Sequence, residues 1–164
     1  MALTFPSGLL RMRCYMKVHG FVALWLLCFS LMPAGVLRAG AQDTKALLLF
    51  GGSDHKTFLG CLNCVNTSDI SVCNAIGKFG SEFQTNSIWN EFGTYGSEFN
   101  EYSPWNQFSQ KAPIIVDKDG ESYGYFSANT YHPHRTRIEW LVAILDFYAD
   151  KSDLDKTRER MCGD

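Results

Sequence analysis

Apolar residues follow different rhythms in successive parts of the chain. Over residues 46–51 (ALLLFG) they run almost continuously, as in a buried strand, and after a polar turn at Gly52-Ser53-Asp54-His55 a second strand is predicted over 56–63 (KTFLGCLN). Together the two predict a hairpin. Another hairpin is predicted from residues 112–117 (APIIVD), the turn Lys118-Asp119-Gly120 and the alternating run 122–128 (SYGYFSA). Over residues 135–150, Ile138, Leu141, Val142, Leu145 and Tyr148 fall on one face at helical spacing, so an amphipathic helix is expected to cover the sheet. Residues 151–164 (KSDLDKTRERMCGD) are charged and nearly free of apolar side chains, and read as a flexible tail.

Between the hairpins, residues 71–108 repeat with a period of sixteen: Ser71-Val72-Cys73-Asn74, Ser87-Ile88-Trp89-Asn90 and Ser103-Pro104-Trp105-Asn106 align, as do the two copies of Gly-Ser-Glu-Phe. Each copy reads as a helix of one or two turns, with Ser87 as N-cap, Gly93 as C-terminal stop and Pro104 at a first helical position. Units this short cannot fold alone. They are expected to form an arm packed on one small domain, with Trp89, Phe92, Trp105 and Phe108 in the core.

The N-terminal stretch changes the picture of the whole. Arg11, Arg13 and Lys17 precede an apolar run over 21–32, and Ala39-Gly40-Ala41 follows as a small-residue cleavage site. Residues 1–41 therefore read as a secretory signal peptide, with Met12 and Met16 as alternative starts to Met1 and a mature chain from about Gln42. The apolar run is shorter than the roughly 20 residues of a spanning helix, so no transmembrane segment is expected after cleavage. Removing the leader leaves eleven basic against seventeen acidic side chains, a formal charge near −6. That balance lacks the basic face of a nucleic-acid binder and fits a periplasmic or secreted protein. The remainder, residues 42–150 before the tail, is one domain's length.

Candidate chemistry is sparse. Cys61 and Cys64 form a CxxC motif, followed by Cys73 and, far off, Cys162. In an exported chain the first expectation is a disulfide, with Cys61 or Cys64 joined to Cys73; a thiol-redox pair and zinc are the alternatives. Asp117 and Asp119, with Glu121, resemble a fragment of a calcium loop, but the acidic spacing stops short and Asp-Gly also suits a tight turn. His132 and His134, with His55 or Asp54, are metal candidates opposed by the neighbouring Arg135 and Arg137. Tyr95 and Tyr102 lie in polar, glycine-rich connectors, where an exposed ring with a hydroxyl can stack on a sugar or grip a partner. No nucleophile-and-base set is recognisable, and no cofactor is expected.

LGCLNC, SIWNEFGTYGSEF, SPWNQF and IIVDKDGESYGYF resemble a segment of bacterial secreted proteins, free-standing or appended to nuclease-like or peptidase-like enzymes. The resemblance covers roughly residues 56–130 and implies export without implying an activity or a catalytic residue. The chain departs from it at Cys73, where the other copies carry Trp89 and Trp105, and it contains no nuclease-like part. The expected fold is α+β: a small antiparallel sheet of two hairpins, a short-helix aromatic repeat arm and a C-terminal amphipathic helix. The expected function is a non-catalytic binding or structural module of the cell envelope or extracellular space, its partner an envelope polysaccharide or protein. The alternative is a small secreted enzyme or a thiol-redox or metal-binding protein using Cys61 and Cys64 or His132 and His134.

Overall fold

Both hairpins form, and they join into one sheet. The computed structural model describes residues 45–163; the signal peptide expected over residues 1–41 lies outside the described residues. Strands β1 (Leu48–Gly51) and β2 (Thr57–Cys61) pair antiparallel, as do β3 (Ile114–Val116) and β4 (Ser122–Tyr125). Pairing of β1 with β3, Leu49 opposite Ile115, gives the order β2-β1-β3-β4. Leu49, Leu59 and Ile115 are fully buried on the core side of this small α+β fold.

Each outer strand is closed by one bridge to a later segment. Cys61 donates its N–H to Ile70 and accepts from Val72, while Tyr125 does the same with His134 and Thr136. These bridges satisfy backbone groups that a bare sheet edge would leave unpaired.

The repeats are not short helices. In the first copy, backbone bonds run from Asn74 to Ser71, Gly77 to Asn74, Ser81 to Gly77, Gln84 to Ser81 and Ser87 to Gln84, in steps of three, three, four, three and three residues. Sixteen residues thus make one coil of successive turns. The sequence signs of an N-cap are present but are used differently. Ser87 accepts from the N–H of Trp89, Asn90 from Phe92, Ser97 from Phe99 and Asn100 from Tyr102, so side-chain oxygens capture amides that a helix would spend on its i−4 carbonyls. Gly80 and Gly96 complete the geometry, because a Cβ on either would collide with the carbonyl oxygen of Asn74 or Asn90.

Nor is the coil a separate arm. Val72, Ile88 and Trp105 are fully buried in the same core as the sheet residues, and the Trp89 indole donates to the Val72 carbonyl at 2.6 Å. Helix α1 (Glu139–Lys151) buries Leu141, Ile144, Leu145 and Tyr148, and Leu141, Leu145 and Tyr148 join the core that the sheet and the coil share. Tyr148 meets Trp105 at 4.9 Å, and Gln107 donates to the Ala149 carbonyl. Residues 135–138, expected in this helix, are drawn off to the sheet by the Tyr125 bridge.

The charged tail folds as well. Helix α2 (Leu154–Cys162) starts at Asp153, whose side chain accepts from the Lys156 N–H, and ends at Gly163 in the left-handed conformation. It is fixed by a disulfide between Cys73 and Cys162. An expected flexible segment is thereby anchored to the first coil.

Candidate functional site

The coil sorts its aromatic residues by position within the repeat. Two residues after each first serine stand Cys73, Trp89 and Trp105, all buried; two after the asparagine stand Ile76, Phe92 and Phe108, which are 96%, 91% and 88% exposed. Phe79 and Tyr95 point inward, while Phe83 and Phe99 are 82% and 86% exposed. The repeat therefore presents two rows of bare apolar side chains, and Tyr131, two residues after Asn129 in a similar turn, is bare too.

Phe92 and Phe108 were expected in the core and lie outside it, because a turn coil has no helical face: each corner aims its own side chain. Of the two connector tyrosines expected to be exposed, Tyr95 is turned inward in the same way. Tyr95 is 8% exposed and lies against Gly51 of β1, so its ring is unavailable to a ligand. Tyr102 is half-buried, with the Lys111 ammonium 5.6 Å from its ring centre.

Between the exposed rings run two shallow grooves. One, of about 460 Å³, is walled by Phe92 and Phe99 with Glu91 and Glu98; the other, of about 410 Å³, by Phe83 and Phe92 with Glu82, Glu91 and Asp155. They are continuous, sharing Glu91, Phe92 and Leu154. No lysine or arginine lines either. Beneath the first groove, burial and then the charge of Glu98 push the Tyr148 hydroxyl up to about 12.

The other candidate residues are held by structural contacts. Cys61 pairs with Cys64 and Cys73 with Cys162, so the expected link from Cys61 or Cys64 to Cys73 does not form. The first pairing closes the turn after β2, and the second uses the coil position that tryptophan fills in the other copies. Asp117 is buried and accepts from Lys45 Nζ at 2.7 Å, from the amides of Asp119 and Glu121 and from the Tyr123 hydroxyl. The same ammonium lies 3.2 Å from Asp119 and 3.3 Å from Glu121, so one lysine occupies the space between all three carboxylates.

His132 and His134 are not arranged around a common point. His134 is exposed, whereas His132 is buried, its Nδ1 accepting from the His134 amide at 3.3 Å and its Nε2 facing the Gln110 carbonyl at 3.4 Å. Burial holds its pKa below the usual histidine value. His55 does approach this region, but through packing: its ring and that of His132 flank Tyr125 at 5.4 and 4.5 Å. Among the described residues, no group of three or more His, Cys, Asp or Glu side chains could hold a metal ion.

What the site offers chemically is apolar contact area and uncompensated negative charge. The sixteen-residue period signalled that equivalent side chains would line up in rows. Which rows face outward was missed, because it follows from the turn geometry. No protein family, curated protein or solved structure matches the chain.

Proposed function

We propose that the chain is an exported, non-catalytic binding module of the cell envelope or extracellular space, and that its exposed phenylalanine rows are the binding surface. The observation that carries this reading is the near-complete exposure of Phe83, Phe92, Phe99 and Phe108 on an ordered, crosslinked coil. Isolated apolar residues on a surface are ordinary, whereas rows of them at repeated positions mark an interaction face. Two disulfides accord with an oxidising compartment, and no helix among the described residues is long and apolar enough to cross a membrane.

The test is retention of the purified protein on the insoluble envelope fraction of its source cell. Wild type is expected to co-sediment, and a variant with all four phenylalanines changed to serine to stay in solution with unchanged melting. Equal co-sedimentation of the two overturns the reading.

A thiol-exchange protein is the second reading, carried by Cys64, which is half-buried while its partner Cys61 is fully covered. Reduction of insulin by the dithiol form would support it.

A further inference from the structure

The acidic side chains around the two grooves differ from most of those elsewhere in the described residues. Asp54, Glu101, Asp117, Asp119, Glu121, Asp146, Asp150 and Asp153 each lie within 4.0 Å of a lysine or arginine, but Glu82, Glu91, Glu98 and Asp155 have no such partner among the described residues. Asp69, Glu139 and Glu159 also lack one, but the other four line the grooves beside the bare phenylalanines. Exposed aromatic faces and unpaired carboxylates are both satisfied by one kind of side chain, an ammonium or guanidinium on an aliphatic stem, which can lie over a ring while bonding an acid.

The third repeat already contains such an arrangement internally. Lys111, standing where Phe79 and Tyr95 stand in the earlier copies, bonds Glu101 at 2.9 Å and sits over the Tyr102 ring. An acid and an aromatic ring on adjacent coil positions thus accept a lysine in this molecule.

Resting on the binding-module reading, we propose that the face containing Phe83, Phe92 and Phe99 docks a cationic amphipathic polypeptide segment. Its aliphatic side chains seat in the groove between Phe92 and Phe99, and its lysines or arginines bond Glu91 and Glu98. Charge complementarity selects this occupant. A second copy of the chain would bring like charges together, and an anionic membrane surface would be repelled. A neutral glycan could stack on the rings but would leave the four carboxylates without counter-charges.

The experiment titrates the purified protein with a synthetic amphipathic helix of leucine and lysine, using calorimetry. Oligolysine, the same helix with glutamate for lysine, a chitin oligosaccharide and phosphatidylcholine vesicles serve as comparisons. Saturable binding of the leucine–lysine helix is expected, weakened at least about tenfold in Phe92→Ser/Phe99→Ser and in Glu91→Gln/Glu98→Gln. It should also weaken as ionic strength rises from about 0.05 to about 0.5 M. Unchanged binding by either double variant, equal affinity for oligolysine, or binding of the oligosaccharide or vesicles alone overturns the proposal. Loss of envelope retention in Phe92→Ser/Phe99→Ser, with full retention in Glu91→Gln/Glu98→Gln and no peptide binding, rejects the cationic partner while leaving the binding module standing.

Discussion

The rings of Trp89 and Trp105, sixteen residues apart, stack with centroids 5.3 Å apart, and each indole donates its N–H to a carbonyl one coil back, Val72 for Trp89 and Ile88 for Trp105. Stacking and hydrogen bond together set the distance between coils. Trp105 is fully buried and also meets Phe126 and Tyr148. Trp105→Ala is therefore expected to cost about 3–5 kcal/mol, read from guanidinium unfolding. Trp105→Phe keeps much of the apolar contact but strands the Ile88 carbonyl, and is expected to cost about 1–3 kcal/mol.

Neighbouring aromatic residues of one repeat should respond oppositely to truncation. Tyr95 is buried against β1 and Phe92 is bare, so Tyr95→Ala should lose about 3 kcal/mol while Phe92→Ala changes stability by no more than about 0.5 kcal/mol. Thermal melts of the two variants side by side check this. A large loss in Phe92→Ala would mean that its ring packs in solution.

The two disulfides close loops of very different length, three residues apart for Cys61 and Cys64 and 89 for Cys73 and Cys162. Chain entropy therefore favours the longer crosslink, about 4–5 kcal/mol against about 2 kcal/mol. Cys73→Ser/Cys162→Ser should be the more destabilised pair and should release α2 to proteolysis after Ser152. Peptide mapping without reduction is expected to recover these two pairings, and a fragment linking Cys61 or Cys64 to Cys73 would contradict them.

Acid should act on the turn between β3 and β4. Lys45, helped by the Glu121 amide, the Tyr123 hydroxyl and the Asp119 amide, holds the Asp117 carboxyl at about 2 against the opposing effect of desolvation, below its ordinary 3.8. A carboxyl that binds its proton more weakly in the folded state adds stability above its unfolded value and loses it as pH falls through the folded one. The contribution should thus be complete above about pH 4 and fade toward about pH 2. Lys45 is shifted upward by the same contacts and stays protonated throughout this window. Unfolding midpoints measured across it should fall more steeply for wild type than for Asp117→Asn.

The sequence by itself determined the elements whose signals are local. Continuous or alternating apolar runs specified four strands, since burial of one or both sheet faces leaves a direct trace in the chain, and Leu141, Leu145 and Tyr148 marked the buried face of α1. The sixteen-residue period was equally plain. Residues 151–164 read as a flexible tail because of their charge, which hid the helix that Asp153 and Gly163 cap and Cys73 holds in place. Tertiary structure alone decided the rest. Ser87 and Asn90 can begin a helix or a chain of turns with the same side-chain bonds, and the choice falls to contacts between coils, such as Gly96 against Asn90 and Trp105 against Trp89. That choice turns Phe92 outward and Tyr95 inward. Cysteine pairing is likewise a matter of which chains meet in space: Cys162 reaches Cys73 only because α1 and α2 fold back over the coil, and no spacing along the chain encodes that approach.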